Sequence, residues 1–497
     1  MRLKIKILKF LAGRPIAIMD EHTAVKINVH VGERVHIQDH DRAIIAVIDT
    51  SRGGLLKSDE IAVSNEIVSA LGLREDESVE VGIAEKPEST TLIRKKMDGC
   101  KLEKQEIFKI IQDIVNNALT EAEIAYFVAA VYKNGMNDAE TKNLIDAMVS
   151  TGTRLKFNGK VADKHSIGGI AANRTTPLVI PICASTGLIM PKTSSRAITS
   201  AAGTADVIES IADVEFSTEQ IEKIVNKIGA CMVWGGSLGL SPADDKLIQV
   251  EKILSLDPKA QLLASVLSKK ISVGSKYVLI DIPYGKSAKV DLKEGNKLKK
   301  DFEKFGKMFG LKIKCLLTAG DQPIGHGIGP LLEIRDVINF LQGRESIPDL
   351  RAKAIFISAE ILELCEKAKK GKGLAMAKEI LDSGRAFEKF REIIEAQNGK
   401  VPPIQEIEER LGKYRKDIIA EFNIKIKVID NKKINFLATV AGSPMDKGAG
   451  IYLYKHVGEV IERGEKIMTI YSESEARLKN ALELYHRMKP IEFNAFN

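Results

Sequence analysis

The sequence predicts a multi-domain α/β protein with a mostly β domain at its amino-terminal end and an α+β domain at its carboxyl-terminal end. A chain of 497 residues is too long for a single ordinary core, so several domains are expected. Charged and apolar residues alternate in the opening MRLKIKI, strand and helix patterns alternate from residue 160, and β-rich segments return after residue 424. Strands that alternate with helices favour a parallel or mixed sheet in the middle of the chain.

The composition is typical of a soluble globular enzyme and permits a small anionic substrate. A net charge of +7 is mild for this length and does not require a nucleic-acid partner, and an aromatic content of 5% argues against base-stacking surfaces. The five cysteines form no C-x-x-C pair, so we expect neither a disulfide framework nor a zinc site. The opening segment is typical of a strand rather than a signal peptide, and no apolar run approaches membrane-spanning length. We therefore expect a cytoplasmic protein without membrane contact.

Residues 1–88 are predicted to form the mostly β domain. The opening strand and the segment VKINV at 25–29 both alternate polar with apolar residues, so both are predicted strands. Ser64 and Gly72 are the expected start and stop signals of a helix between them. The segment KPESTT at 86–91 is the predicted linker. The four histidines of this domain lack acidic or cysteine partners at ligand spacing, which favours solvated side chains over a metal site.

Helical periodicity follows the linker and then gives way to an α/β pattern. Thr120 with Glu123, and Asn137 with Glu140, are predicted capping boxes of two helices. From residue 158, short apolar strands alternate with helices, and Pro177 lies near the first turn of one of these helices. After residue 424 the segments IKIKV, INFLATV and GIYLYKH are predicted strands.

Two glycine-rich and hydroxyl-rich segments lie in this α/β part, KHSIGG at 164–169 and PKTSSRAITSAAGTADVIE at 191–209. Glycine lets a backbone pass close to an anion and direct its N–H groups at it. The lysine, arginine and hydroxyl side chains of both segments add further donors. The pair therefore predicts a phosphate site, and the alternative interpretation is two ordinary surface turns.

The second segment resembles the signature of the thymidine/pyrimidine-nucleoside phosphorylase family, which runs Ser-x-Arg, then Gly-Thr-x-Asp, then Glu. KHSIGGI is similar to the phosphate loop of the same family. The resemblance extends from about residue 97 to the carboxyl terminus. Within the family, the chain most resembles the archaeal AMP phosphorylases, which have an additional amino-terminal domain.

The resemblance implies a domain plan for the rest of the chain. An all-α domain at 97–157 would be completed by about 234–270, and a central α/β phosphate-binding domain would comprise 158–233 and 271–345. A helical connection at 346–423 would lead to a C-terminal α+β domain at 424–497, similar to a barrel-sandwich. The site would lie in a cleft between the helical and central domains. The resemblance also implies a homo-oligomer, at least a dimer, that needs no cofactor besides phosphate as co-substrate and no metal.

The resemblance assigns roles to individual residues. Asp257 matches the proton donor, although Asp-Pro-Lys also suits a helix N-cap. The positions that match phosphate-binding residues are Lys164, Ser166, Thr175 and Ser194. The positions that match substrate-binding residues are His165, Gly169, Ser195, Arg196, Ala197, Ile198, Thr199, Ser200, Thr204, Ser265, Lys269 and Lys289.

Two departures from the thymidine phosphorylases favour a nucleotide substrate over a nucleoside. Val250 stands where those enzymes have an arginine that holds the pyrimidine, so strict pyrimidine selection is not expected. Lys286 and Lys289 stand where nucleoside-cleaving relatives have small or apolar residues, and an ammonium group there would hold a 5′-phosphate. The alternative is that both lysines are solvated.

The leading hypothesis is phosphorolysis of nucleoside 5′-monophosphates: AMP, with CMP and UMP as further substrates. The alternative is a pyrimidine-nucleoside phosphorylase. A phosphoribosyltransferase shares the fold, but its Gly-Thr-Gly-Gly-Asp loop and acidic metal pair are not found in the sequence. A non-catalytic nucleotide sensor is a further alternative, and the intact phosphate-loop residues argue against it.

Overall fold

The computed structural model describes residues 1–10, 12–197, 200–344 and 347–496. These residues divide into two compact units. The first comprises 1–152 and 241–268, and the second comprises the remaining described residues.

The first unit opens with a closed barrel of six strands. They are β1 (Arg2–Ile7), β2 (Ile16–Asp20), β3 (Arg34–Asp39), β4 (Arg42–Ser51), β5 (Glu60–Val63) and β6 (Ser78–Ile83), in the order β1-β5-β2-β4-β3-β6. Leu3 and Ile5 are buried in the barrel core, whereas Lys4 between them is exposed. The period-two alternation therefore correctly predicts the opening strand.

The strand predicted over residues 25–29 is wrong. Helix α1 (Glu21–Lys26) covers its start, and the carboxyl group of Asp20 caps this helix by accepting from the backbone N–H of His22. Val25 is 69% exposed, so its side chain does not belong to the apolar face that the alternation suggested. Helix α2 (Asn65–Leu71) confirms the other prediction. It begins after Ser64 and ends at Gly72, whose φ of 73° is readily adopted by glycine.

A helical bundle completes the first unit. Its helices in this part of the chain are α3 (Ser89–Met97), α4 (Lys104–Val115), α5 (Glu121–Asn134) and α6 (Asp138–Ser150). The two predicted capping boxes are present at the starts of α5 and α6. A buried ion pair of 2.8 Å between Lys96 and Glu140 joins α3 to α6. Because α3 begins at Ser89, the linker predicted for 86–91 is helical from that residue onward.

The second unit is built around parallel strands. Its first elements are β7 (Ala162–Ser166), α7 (Thr176–Ala184), β8 (Met190–Ser194), α8 (Thr204–Ile208), α9 (Thr218–Ile228) and β9 (Ala230–Trp234). In chain order the helices α10 (Pro242–Leu254) and α11 (Lys259–Ser272) come next. Helix α10 belongs to the first unit, and the division between the two units falls within α11. The next elements are β10 (Tyr277–Tyr284), α12 (Leu292–Met308), β11 (Lys312–Ala319) and the short β12 (Gly327–Ile328).

Strands β11, β10 and β7 form one parallel sheet, and β8 and β9 form a parallel pair. A single parallel bridge between Val161 and Ile189 connects the two groups. The carboxyl ends of β7 and β8 therefore lie at the same edge, and both glycine-rich segments leave the strands there. Loops at this edge of a parallel sheet commonly form binding sites.

Five helices follow: α13 (Pro330–Leu341), α14 (Pro348–Leu364), α15 (Gly373–Asp382), α16 (Arg385–Ala396) and α17 (Ile404–Glu409). They share a large apolar core with α7, to which Leu178, Ile338, Ile357 and Phe390 contribute. This part of the chain is thus packed into the α/β core.

The carboxyl-terminal part is α+β. It contains β13 (Tyr414–Ile419), β14 (Asn423–Ile429), α18 (Asn431–Ala441), β15 (Gly450–Leu453), β16 (Val460–Ile461), β17 (Lys466–Ser472), α19 (Glu475–Met488) and β18 (Ile491–Phe496). Its strands form two sheets, β12-β15-β17-β13 and β16-β14-β18.

The strand predicted for INFLATV is wrong, because this segment lies in α18. Ile434, Leu437, Ala438 and Ala441 are buried, which is the i, i+3, i+4, i+7 spacing of one helix face. Asp430 caps the helix by accepting from two backbone N–H groups.

Candidate active site

The first glycine-rich segment begins on a strand rather than in a loop. Lys164, His165 and Ser166 are the last residues of β7, so the loop proper begins at Ile167. The prediction that the whole segment KHSIGG is a loop is therefore wrong for its first half. Pairing with β10 fixes the direction of the side chains, because successive residues of a strand point to opposite faces.

Lys164 and Thr175, two of the predicted phosphate-binding residues, are in direct contact. Lys164 is 1% exposed, and its Nζ donates to Thr175 Oγ1 at 2.8 Å and to Thr176 Oγ1 at 3.3 Å. Burial lowers the pKa of Lys164 to about 8, although the charges of Asp281 and Asp163 oppose this shift. The ammonium group thus remains mostly protonated near neutral pH and is suited to hold an anion.

A second cluster of buried charges lies beside His165. Lys270 Nζ lies 2.6 Å from Asp163 Oδ2, and Lys192 Nζ lies 3.5 Å from Asp163 Oδ1. Burial lowers the pKa of Lys192 to about 7, with Asp163 opposing and Lys270 adding to the effect. Burial and the surrounding lysines hold the pKa of His165 well below its ordinary value, so this imidazole is neutral at pH 7. A neutral imidazole can both donate and accept a hydrogen bond.

The glycine-rich turn after β7 lies directly against Lys289. Gly168 and Gly169 have φ values of 86° and 90°. A β-carbon added at Gly169 would lie 2.9 Å from the backbone nitrogen of Lys289 and 3.2 Å from its Cβ. The turn therefore requires glycine both for its backbone conformation and for this close approach.

Gly169→Ala is expected to lower kcat/KM for the hypothesised phosphorolysis on the order of 10²-fold, because the clash would displace the loop or Lys289 by about 1 Å. Gly458→Ala is the matched control. Gly458 has the same φ of 90°, but a β-carbon added there would have no heavy atom within 4 Å. Steady-state kinetics of both variants separates the clash from backbone strain, and equal losses in the two variants would contradict this account.

The second glycine-rich segment is held together by its own charged residues. The Arg196 guanidinium donates to Glu209 at 2.7 Å and to Glu215 at 2.8 Å, and it stacks on the Trp234 ring. Asp206 accepts from the backbone N–H groups of Ala197 and Gly203, both at 2.7 Å. The guanidinium of Arg196 is thus engaged with carboxylates, which shapes the loop between β8 and α8.

The remaining predicted residues of this segment lie along the same loop. Ser194 ends β8, and its hydroxyl donates to the Val233 carbonyl at 3.3 Å, whereas the Ser200 hydroxyl donates to the Ala202 carbonyl at 2.7 Å. Ser195 directly follows β8. Ile198 and Thr199 lie outside the described residues.

Arg174 connects the start of α7 to the second segment, and it was not singled out from the sequence. It donates to Thr204 Oγ1 at 3.0 Å and to the Ala202 carbonyl at 2.7 Å, and its Nε is paired with Glu333. Since Arg174 directly precedes Thr175, it links the start of α7 to the start of α8. The sequence signal that could have identified Arg174 was its position directly before Thr175, a predicted phosphate-binding residue.

Three predicted residues lie on or just before α11. Asp257 is exposed and precedes the helix by two residues, in the first unit. Ser265 is in the same unit and donates to Asp244 Oδ2 at 2.9 Å. Lys269 is half-buried near the end of α11, in the second unit.

Lys286 and Lys289 differ in their surroundings. Lys286 donates its backbone N–H to Asp321 at 3.2 Å and lines a cavity of about 830 Å³ with Lys353 and Lys427. Lys289 is half-buried and contacts the glycine-rich turn. Of the two lysines, Lys289 therefore lies beside the predicted phosphate loop.

Over the described residues, every helix is too short or too polar to cross a membrane. Across the same ranges, no group of three or more His, Cys, Asp and Glu side chains could hold a metal ion.

Comparisons with known proteins agree on the family. Residues 90–152 match the helical bundle domain of a glycosyl transferase family, residues 158–295 match the α/β domain of that family, and residues 425–492 match the pyrimidine nucleoside phosphorylase C-terminal domain. The chain also resembles a solved anthranilate phosphoribosyltransferase from Thermus thermophilus, with a TM-score of 0.53 and 17% identity over 62% of this chain and 99% of that one. This likeness shows the fold alone.

Curated relatives match along almost the whole chain. A protein of Thermococcus kodakarensis named AMP phosphorylase is 44% identical over 99% of this chain and 97% of its own length. Proteins with the same name from Pyrococcus furiosus and Methanococcoides burtonii are 43% and 41% identical, each over 99% of this chain and over 98% and 97% of their own lengths. The chain therefore belongs to the pyrimidine-nucleoside phosphorylase family of glycosyl transferases, in the branch whose archaeal members are named AMP phosphorylases.

Proposed function

We propose that this protein is an AMP phosphorylase, which converts AMP and phosphate to adenine and ribose 1,5-bisphosphate. The observation that carries the proposal is the 44% identity, over 99% of the chain, to a relative named AMP phosphorylase. The buried Lys164, in contact with Thr175, supplies the cationic group that phosphorolysis requires.

In the proposed reaction, Lys164, Ser166, Thr175 and Ser194 hold phosphate. A phosphate oxygen bonds to the anomeric carbon of the ribose as the bond to the base nitrogen breaks. The base leaves with the electron pair of that bond and takes a proton from Asp257. Positioning and charge stabilisation carry most of the rate enhancement, without a covalent enzyme intermediate.

We assign the 5′-phosphate to Lys289. Lys289→Ala is expected to raise KM for AMP about tenfold or more, because a charge-assisted hydrogen bond is lost. Any slow turnover of adenosine, which has no 5′-phosphate, would change less than about twofold. Lys286→Ala is the matched control, since Lys286 is on the same loop but, unlike Lys289, is an exposed residue at the cavity that Lys353 and Lys427 also line. Should Lys286→Ala raise KM for AMP as much as Lys289→Ala does, the assignment is wrong.

The range of accepted bases is tested by one panel of substrates. CMP and UMP are proposed further substrates, because the buried Val250 offers no hydrogen bond that would select one base. Base release from AMP, CMP, UMP, adenosine, uridine and thymidine should be measured side by side with phosphate present. Release confined to monophosphates supports the proposal, whereas equal or faster release from nucleosides would indicate a pyrimidine-nucleoside phosphorylase.

Further parts of the proposal concern conditions and assembly. The reaction is proposed to need no metal or other cofactor, so activity should be unchanged by EDTA.

We propose a cytoplasmic homo-oligomer, at least a dimer, which light scattering of the purified protein would test. The C-terminal domain, which we compare to a barrel-sandwich, is assigned a structural role because it lacks the attachment lysine of biotinyl and lipoyl domains.

A further inference from the structure

The middle strand of the parallel sheet carries a carboxylate to which no role has been assigned. Asp281 lies in β10, between β7 and β11, and is 0% exposed. Its neighbours along the strand are the apolar residues of YVLI and the following Ile282. A buried carboxylate is costly unless it is paired and hydrogen-bonded, so its partners indicate what it does.

Both oxygens of Asp281 have partners. Ser166 Oγ lies 3.2 Å from Oδ2, and Thr318 Oγ1 lies 2.6 Å from Oδ1. Lys353 Nζ lies 3.0 Å from Oδ2. Ser166 is one of the residues that match the phosphate site, so Asp281 is connected directly to that site by one hydroxyl group.

The charge state of Asp281 determines which way the hydrogen bond to Ser166 runs. Burial acts to raise the pKa of Asp281, but the charges of Lys353 and Lys164 outweigh it and hold the pKa below its ordinary value. The carboxyl group is therefore ionised, and an ionised carboxylate only accepts. Ser166 must donate its single hydroxyl proton to Asp281.

A hydroxyl whose proton is already donated presents only lone pairs to anything on its other side. A fully deprotonated anion such as sulfate has no proton to offer those lone pairs, so its oxygen would face the Ser166 oxygen without a hydrogen bond. Hydrogen phosphate carries one proton near neutral pH and can donate it to Ser166. An acceptor that the bound anion shields from water and leaves unpaired is disfavoured, so the two anions are discriminated.

We infer that Asp281, acting through Ser166, is a specificity-determining residue that makes the anion site select hydrogen phosphate over sulfate. This rests on the proposed function in one respect, namely that phosphate binds at Ser166. Lys353 and Lys164 are the cations that allow a carboxylate to lie so close to an anion site. Asp281 is a positioning residue, because it acts through Ser166 and does not touch the substrate.

The test is the ratio of sulfate to phosphate dissociation constants, measured by isothermal titration with the two inorganic salts on the full chain. Asp281→Asn is expected to reduce this ratio about tenfold or more, since the amide can donate to Ser166 and turn the hydroxyl proton toward the anion. Ser166→Ala is expected to reduce it similarly. This second variant removes one half-buried hydroxyl and keeps the test valid if Asp281→Asn does not fold.

Asp336→Asn is the matched control, because Asp336 is another buried carboxylate of the same unit and accepts from the backbone N–H groups of His326 and Gly327. Its loss should leave the anion ratio unchanged, which separates specificity from a general effect on stability. A wild-type ratio in both Asp281→Asn and Ser166→Ala would overturn the inference, as would the absence of any phosphate binding. If phosphate binds with the expected ratios but AMP yields no adenine, the proposed function fails and the inference stands.

Discussion

Lys164→Met is expected to lower kcat/KM for phosphate by about 10²- to 10³-fold, the cost of removing one preorganised group that stabilises charge. The ammonium of Lys164 is buried and anchored by Thr175 and Thr176, so it is already directed before phosphate arrives. Methionine fills a similar volume without the charge, which limits damage to packing. Steady-state kinetics with phosphate as the varied substrate measures the effect.

Lys160→Met is the matched control for Lys164→Met. Lys160 lies four residues earlier, but its ammonium donates to the Cys365 carbonyl at 2.8 Å and pairs with Glu366 at 3.1 Å. This variant should retain phosphate KM within about twofold, since exposed pairs contribute little. A wild-type value of kcat/KM for phosphate in the Lys164→Met variant would show that Lys164 does not hold phosphate in the reaction.

Asp257→Asn is expected to reduce kcat for AMP by about 10²- to 10⁴-fold, the usual contribution of general acid catalysis. An amide of the same shape cannot give a proton to the departing adenine. The effect should be much smaller with AMP methylated at N7 of the base, because that base already carries the positive charge that protonation would supply. The comparison of the two substrates therefore identifies proton donation rather than a change in binding.

Asp98→Asn serves as the control for Asp257→Asn. Asp98 is an exposed carboxylate of the same unit at the end of α3, and its loss should leave kcat unchanged. Equal losses on AMP and on the methylated substrate would show that Asp257 caps α11 or positions the substrate and does not donate a proton.

The local patterns predicted most of the elements that position the site. The capping boxes at Thr120 and Asn137 correctly predicted helix starts, because such caps depend only on residues three positions apart. Alternation was less reliable. Over so few residues, the apolar spacings of VKINV and INFLATV fit a strand and a helix equally well. Both segments overlap helices whose first turns are capped by the carboxyl groups of Asp20 and Asp430.

Contacts across long sequence separations could not be predicted from the pattern. The bond between Ser166 and Asp281 spans 115 residues, and the ion pair of Arg174 with Glu333 spans 159. Both depend on the order of strands and helices in the sheet, which no local signal specifies. Asp281 was nevertheless visible as a charged residue within the apolar strand YVLIDIPY, and a buried charge of this kind indicates a partner elsewhere.

The most direct test of the proposed function is the stoichiometry of products formed from AMP, with and without inorganic phosphate. We expect adenine to appear only when phosphate is present, together with an equal amount of ribose 1,5-bisphosphate measured by phosphorus NMR. Adenine released at the same rate without phosphate would indicate hydrolysis, and the absence of adenine under both conditions would exclude AMP as the substrate. Either result would contradict the proposed function.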